Sequence, residues 1–214
     1  MTPRAGSGQA GVLEARSSDD LSGLPVGNAA ELHPTGQWGM SLLIVTEAAL
    51  FAFLLFSYFY LGARAPGVWP PGGPPDLGLV LPNTFILLSS SVALLWGEAG
   101  IRRGDTRRLV IGLAAAIVLG TTFLTLQGVE YSRKTFTPAT DAYGSAFFTI
   151  TGLHGTHVLV GLIVLSVVLV MACRGQFSER DHHYVSNAAL YWHFVDVVWL
   201  FVFTSLYLTP RLGL

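Results

Sequence analysis

The chain has 214 residues, of which 51% are hydrophobic and 12% are charged, and its mean hydropathy is +0.55. Soluble domains carry about 25% charged residues, so this composition excludes an ordinary soluble protein and predicts one polytopic domain solvated mainly by lipid. The net charge of −1 and the single cysteine exclude a strongly basic nucleic-acid-binding protein, an internal disulfide framework and a four-cysteine metal site.

Residues 1–37 are the first segment in chain order. They are rich in Gly, Ser, Ala and acidic residues and lack a continuous apolar core, so they do not have the pattern of a signal peptide. Low hydrophobicity without periodicity predicts a disordered polar tail. Docking of this tail to a partner is the alternative interpretation.

Five apolar stretches follow, each long enough for a helix to cross a hydrocarbon core about 30 Å thick. Backbone groups in lipid must be hydrogen-bonded within the protein, so each stretch is predicted to be helical. The long apolar runs do not fit the alternating pattern of a membrane β-barrel. The fold class is therefore all-α, a polytopic membrane protein with five transmembrane helices. The predicted helices cover residues 38–61, 79–101, 109–129, 142–173 and 185–208.

Lysine and arginine are distributed unequally between the two sides of these spans. Eight lie on the side of the N-terminus and four on the opposite side. Positive residues concentrate on the cytoplasmic side of a membrane, so the N-terminus is predicted to be cytoplasmic, or on the matrix side in an organelle, and the C-terminus to lie on the outer side. The eight residues are Arg4, Arg16, Arg102, Arg103, Arg107, Arg108, Arg174 and Arg180.

Ionisable side chains occur inside three of the predicted spans. Glu47 lies about 14 Å along the first helix, at 1.5 Å per residue. His154 and His157 share one face of the fourth helix because they are three residues apart, and His193 and Asp196 share one face of the last helix. Because such side chains normally face protein, a paired group or water, these five residues are predicted to form a buried polar cluster.

Three interpretations of this polar cluster are open. Histidines bind haem and copper, but two histidines on one turn of one helix cannot supply opposite axial ligands to a haem, so no metal site is predicted. A proton relay is the second interpretation, since Glu, His and Asp carry protons in membrane pumps. The favoured interpretation is packing by hydrogen bonds between helices, with Glu47 protonated or paired with a histidine.

Segments in collinear order, from about residue 38 to residue 208, carry a resemblance to a known family. The most specific is a Gly-x-His-Gly-x-His-Val pattern that contains His154 and His157. Together the segments resemble subunit III of the haem–copper respiratory oxidases, in the form found in cytochrome c oxidases. They read WGMSLLIVTEAALFAFLLFSYFY, WPPGGPP, LPNTFILLSSS, LQGVEY, AYGSAFFTITGLHGTHVLVGL and HHYVSNAALYWHFVDVVWLFVF.

The resemblance implies a five-helix bacterial type of this subunit, because many members have two further N-terminal helices where this chain has a polar tail. It implies a plasma-membrane protein whose helices form two bundles, separated by a V-shaped cleft that holds phospholipid. It implies no catalytic centre, metal or redox group on this chain. Haem and copper lie in partner subunits, of which subunit I is the main contact and subunit II a second.

The resemblance also implies a supporting function. The subunit would keep proton uptake into subunit I efficient, protect the complex from inactivation and offer dioxygen a lipid-filled route. The buried polar cluster would set the geometry of the cleft. Basic residues at the cytoplasmic interface attract anionic phospholipid, and the residues expected to do so are Arg102, Arg103, Arg107 and Arg108.

Two sets of alternatives accompany this prediction. The first is subunit III of a ubiquinol oxidase or an accessory subunit of a nitric oxide reductase, although YWHFVDVVWLF is more similar to the cytochrome c oxidase form. The second is an independent proton or ion transporter built around Glu47, which the lack of internal repeats and of Pro-broken central helices disfavours. Asn187 stands where some members carry a Glu, so a role for that carboxylate is not expected here.

Overall fold

A computed structural model describes residues 32–178 and 182–212. Within these residues all regular structure is helical, and five helices are long and apolar enough to cross a membrane, which confirms the predicted fold class. The helices are α1 (Leu32–Arg64), α2 (Val80–Ile101), α3 (Thr106–Arg133), α4 (Ala142–Cys173) and α5 (His183–Phe203). A π-helical turn, Thr204–Leu208, continues α5 into a final short helix, α6 (Thr209–Leu212).

The start of α1 differs from the predicted boundary of the polar tail. The tail was predicted over residues 1–37; residues 1–31 lie outside the described part of the chain, and residues 32–37 are helical. Pro34 is compatible with this start because the first turn of a helix has N–H groups without intrahelical partners. The apolar run begins later than the helix, so hydropathy alone places the boundary too far along the chain.

Aspartate side chains fix the starts of α3 and α4. The Asp105 carboxylate accepts a hydrogen bond from the backbone N–H of Arg108 at 3.0 Å, and Asp141 accepts one from Gly144 at 2.7 Å. An N-cap of this kind satisfies one of the free N–H groups of the first turn. The cap at Asp105 starts α3 three residues before the predicted span.

The five spans contact one another as a single connected bundle. α2 packs on α3 and α5, α4 packs on α3 and α5, and α1 lies against α4 and α5. Phe51 and Tyr58, seven residues apart on one face of α1, are buried against the neighbouring helices.

Glycines allow a close approach between α2 and α3. A Cβ atom at Gly112 would lie 2.7 Å from the carbonyl oxygen of Ala93 and 2.7 Å from the Cα atom of Gly97. These distances are shorter than real Cβ contacts and involve backbone atoms that cannot yield. The two helices can therefore pack this closely only with glycine at these positions.

Trp192 of α5 fills the centre of the bundle. Its ring lies between Gly120 of α3 and Gly161 of α4, where added Cβ atoms would come within 2.6 Å and 2.8 Å of it. Its indole N–H donates to Ser90 of α2 at 3.0 Å. One fully buried side chain thus fixes the position of α5 relative to three other helices.

Candidate functional site

The first group of predicted site residues is a pair between α1 and α4. The Nε2 atom of His157 lies 3.0 Å from the Oε2 atom of Glu47. The other ring nitrogen of His157, Nδ1, lies 2.8 Å from the carbonyl oxygen of Leu153, one turn earlier in α4. The Tyr191 hydroxyl of α5 donates to the carbonyl oxygen of His157 at 3.3 Å. Three helices therefore meet at this pair.

The hydrogen bonds determine how many protons the pair holds. A carbonyl oxygen can only accept, so Nδ1 of His157 carries a hydrogen. The contact between Nε2 and Glu47 then needs one further proton, which sits either on the carboxyl group or on the imidazole. Both arrangements leave the pair with no net charge, which suits a site inside the membrane.

The second group of predicted site residues lies between α2 and α5. Ser91 of α2 donates a hydrogen bond to Oδ2 of Asp196, and its oxygen lies 2.8 Å from Nδ1 of His193. Because Ser91 gives its only hydrogen to Asp196, its oxygen accepts from His193. A single serine therefore links α2 to both His193 and Asp196 of α5.

His154 belongs to neither group. It is fully buried, and neither ring nitrogen has a hydrogen-bond partner in residues 32–178 and 182–212. Its ring packs against aromatic side chains, with a centroid distance of 4.9 Å to Trp199 and 6.0 Å to Phe123. The five residues that the sequence suggested as one cluster are thus divided into two hydrogen-bonded groups and one histidine in an aromatic environment.

Sequence reasoning missed the polar residues of α2 that form hydrogen bonds with α5. Thr84, Ser91 and Glu98 are seven residues apart, so they share the face of α2 that contacts α5. Thr84 accepts from the Trp199 indole at 3.0 Å, and Glu98 accepts from Ser186 at 3.0 Å. The seven-residue spacing of polar residues in an apolar helix was the signal that could have identified this face.

The four arginines predicted to bind lipid have different environments. Arg102 pairs with Glu98 at 2.7 Å, and the Arg108 guanidinium lies 4.6 Å from the centre of the Trp96 ring. Arg103 and Arg107 are exposed and have no such contact among the described residues. Two of the four therefore present unpaired guanidinium groups to the surface.

The chemistry that this arrangement supports is proton sharing and the fixing of helix positions. In the described part of the chain no three His, Cys, Asp or Glu side chains are grouped so that they could hold a metal ion. The ionisable groups are instead joined to neighbouring helices by single hydrogen bonds. These features define a class: an all-helical membrane protein with five spans and paired polar groups between them.

Comparison with known proteins identifies the family within this class. The family model for cytochrome c oxidase subunit III matches residues 27–210. The chain is 41% identical over 179 residues to cytochrome c oxidase subunit 3 of Myxine glutinosa, which covers 80% of this chain and 68% of the relative. It is 41% identical over 181 residues to cytochrome c oxidase subunit 3 of Triticum aestivum, and this match covers 80% of this chain and 67% of the relative. It is 42% identical over 180 residues to cytochrome c oxidase subunit 3 of Gadus morhua, and this match covers 80% of this chain and 68% of the relative.

The chain belongs to the cytochrome c oxidase subunit III family. It is therefore a component of a haem–copper oxidase, which is an oxidoreductase complex of the respiratory chain. This confirms the family that the sequence motifs indicated.

Proposed function

We propose that this chain is a non-redox subunit of a cytochrome c oxidase in a bacterial plasma membrane. In this proposal it packs mainly against subunit I, also contacts subunit II, and has a cytoplasmic N-terminus and an outer C-terminus. It carries no catalytic centre, since electron transfer uses the haem and copper of the partner subunits. Its function is to keep proton uptake into subunit I efficient, to prolong the active life of the complex and to offer dioxygen a lipid-lined route.

The observation that carries this proposal is that the ionisable groups within the spans, most of them only partly buried, link neighbouring helices. Glu47 and His157 join α1 to α4, and Ser91 joins α2 to the ionisable residues of α5. Groups fixed in this way support a rigid scaffold beside a catalytic subunit. They do not support an independent transporter, which needs a continuous polar path across the membrane.

A groove between α3 and α4 supports the proposed binding of phospholipid. It has a volume of about 640 Å³ and is lined mainly by Leu, Ile and Val, with Arg174 at one end. An acyl chain fits the aliphatic walls, and a guanidinium at the end suits an anionic headgroup. This groove lies within the bundle surface, so the lipid proposal does not depend on a cleft between two bundles.

The experiment that tests the proposal compares the oxidase with and without this chain. An affinity tag on the C-terminus should recover a haem-bearing subunit in equal amount, and deletion of the chain should shorten the active life of the remaining oxidase during turnover. Its initial electron-transfer rate should change much less than its lifetime. Purification of the chain as a homo-oligomer without haem-bearing subunits would contradict the proposal.

A further inference from the structure

A polar cavity opens at the outer ends of α2 and α3. It has a volume of about 330 Å³ and lies beneath the loop Pro71–Asp76. Glu130 and Lys134 at the end of α3 line it, together with Tyr143 from the start of α4. No residue predicted as a site lies here, and the cavity is independent of the function proposed above.

Two buried polar atoms in the cavity wall are unpaired. Glu130 is 5% exposed, and its Oε1 atom accepts from Lys134 at 2.7 Å and from the Tyr207 hydroxyl at 2.9 Å. Its second oxygen, Oε2, has no hydrogen-bond partner in the part of the chain described by the structure, and neither does the hydroxyl of Tyr143, which is 3% exposed. Buried polar atoms are nearly always hydrogen-bonded, to protein or to ordered water.

Further unpaired polar atoms lie one helical turn deeper. Gln127 is three residues before Glu130 on the same face of α3, and both ends of its buried amide lack partners among the described residues. Asn83 of α2 donates to the carbonyl oxygen of Phe123, while its own side-chain oxygen is unpaired there. These amides lie deeper than the cavity and are not among the residues that line it.

The inner end of this polar region is closed by apolar side chains. Leu87 follows Asn83 by one turn in α2, and Phe123 precedes Gln127 by one turn in α3; both are completely buried. Phe123 also packs against His154 and Trp199. The region therefore ends within the outer half of the bundle and does not continue to Glu47 and His157.

The charges of the cavity favour a neutral polar ligand. Glu130 is balanced by Lys134 in direct contact, and the further carboxylate of Asp76 is balanced by Arg133. An added cation would meet two basic groups and an added anion two acidic ones, so neither gains net attraction. Water supplies both donors and acceptors for the unpaired atoms, and the volume holds on the order of ten molecules at about 30 Å³ each.

We propose that this cavity binds a cluster of water molecules that extends from the outer face to the buried carboxyl group of Glu130. The cluster pairs the buried oxygens of Glu130 and Tyr143. Because the buried side chains of Leu87 and Phe123 lie inward of this cluster, the water does not extend to Glu47.

Hydroxyl-radical footprinting of the assembled oxidase tests this site, because radicals formed from bound water oxidise the side chains beside it. Tyr143 should be oxidised several-fold faster than Trp192, which is buried between Gly120 and Gly161 and does not line the cavity. This order is the reverse of the intrinsic reactivity of the two ring types. Oxidation of Tyr143 as slow as that of Trp192 would show a dry cavity and overturn the proposal.

A rim variant with a matched control adds a second readout. Thr135→Trp places a large ring at the exposed mouth of the cavity, whereas Ser132→Trp places the same ring on an exposed position of α3 that does not line it. Oxidation of Tyr143 should fall several-fold in the first variant and stay unchanged in the second. Equal oxidation in both variants, or density for an acyl chain in this cavity in a high-resolution structure of the oxidase, would contradict bound water.

Discussion

Glu47 and His157 share one proton in a contact that joins α1 to the bundle. An unpaired charge near the centre of a bilayer costs at least about 2.5 kcal/mol on insertion scales. The pair avoids this cost because its net charge is zero in either proton arrangement. Its hydrogen bonds also determine which substitutions can be tolerated, since Nδ1 of His157 is already committed to the Leu153 carbonyl.

Glu47→Gln should preserve this contact. The amide NH₂ of glutamine donates to the free Nε2 of neutral His157, so assembly of the subunit and the proton-to-electron ratio of the oxidase should stay nearly unchanged. Glu47→Ala removes the bond and leaves Nε2 unpaired, which should weaken the attachment of α1 by about 1 to 2 kcal/mol. The measurement is the amount of subunit retained after detergent washing, together with the pumped protons per electron.

Thr46→Val is the control for the Glu47 variants. Thr46 is the neighbouring residue on an exposed face of α1, and its hydroxyl bonds only to Leu43 in the same helix. The oxidase with Thr46→Val should retain as much of this subunit after detergent washing as the oxidase with the unmodified chain. Normal assembly combined with lost pumping in Glu47→Gln would instead assign proton transfer to Glu47, and the structural interpretation would be wrong.

Ser91 has a measurable role of its own, because it is the only link from α2 to His193 and Asp196 among the hydrogen bonds of the described residues. Ser91→Ala leaves both groups without this partner and should lower the stability of the bundle by about 1 kcal/mol. Thermal unfolding in detergent measures the loss.

Ser89→Ala is the matched control for Ser91, since it removes an exposed hydroxyl that bonds to Phe85 of the same helix at 2.7 Å. Its unfolding midpoint should equal that of the unmodified protein. If the two serine variants unfold at the same temperature, the bridge between α2 and α5 does not stabilise the bundle.

At the scale of helices, the sequence predicts the number of spans well and their contacts poorly. Each apolar run is long enough to identify its helix, because crossing lipid demands length and hydrophobicity. Depth along each helix also follows from residue counting, which placed Glu47 and His157 at a similar level. Which residues pair cannot be counted in this way, because the rotation of each helix is set by packing such as that of Trp192 between Gly120 and Gly161.

The π-helical turn at Thr204–Leu208 is a feature that no sequence pattern indicated. Its Tyr207 donates to Glu130, and the Lys134 ammonium lies 5.6 Å from the centre of the Tyr207 ring. A π-helical turn changes the direction of the side chains that follow it. The fold buries Glu130 beside this turn.

Gly112 gives a test of the contact between α2 and α3. Gly112→Ala forces a methyl group against the backbone of Ala93 and Gly97, so the helices must separate, at a cost of about 1 to 3 kcal/mol. Gly128→Ala is the control in the same helix, because an added Cβ meets nothing within 4 Å there. It should be neutral or stabilising by about 0.5 to 1 kcal/mol through helix propensity.

Unfolding midpoints of the two alanine variants in one detergent provide the comparison. A lower midpoint for Gly112→Ala and an unchanged or higher one for Gly128→Ala is the expected result. Equal midpoints would mean that the close approach of α2 and α3 does not limit the stability of the bundle.

For the whole molecule, burial is uneven among the helices. In an 18-residue apolar stretch of α1 only 6% of the residues are buried, whereas in such a stretch of α5 and its extension 61% are buried. α5 and its two fully buried tryptophans, Trp192 and Trp199, form the interior of the bundle, whereas most of α1 is exposed at its surface. The stability of this chain should therefore depend on lipid and on its partners more than on internal contacts of α1.

Anionic phospholipid is expected to bind at the turn between α2 and α3. Arg103 and Arg107 are exposed there, while Arg102 and Arg108 are engaged by Glu98 and Trp96. Each basic residue near an anionic leaflet contributes about 1 kcal/mol, so the double variant Arg103→Gln/Arg107→Gln should bind such lipid about thirtyfold more weakly. Phospholipid analysis of the washed, purified oxidase measures the retained lipid. The control double variant Arg64→Gln/Arg133→Gln removes the same amount of charge from the opposite surface, and the oxidase that carries it should retain the phospholipid. Equal retention of phospholipid in the two double variants would exclude the turn between α2 and α3 as the lipid site.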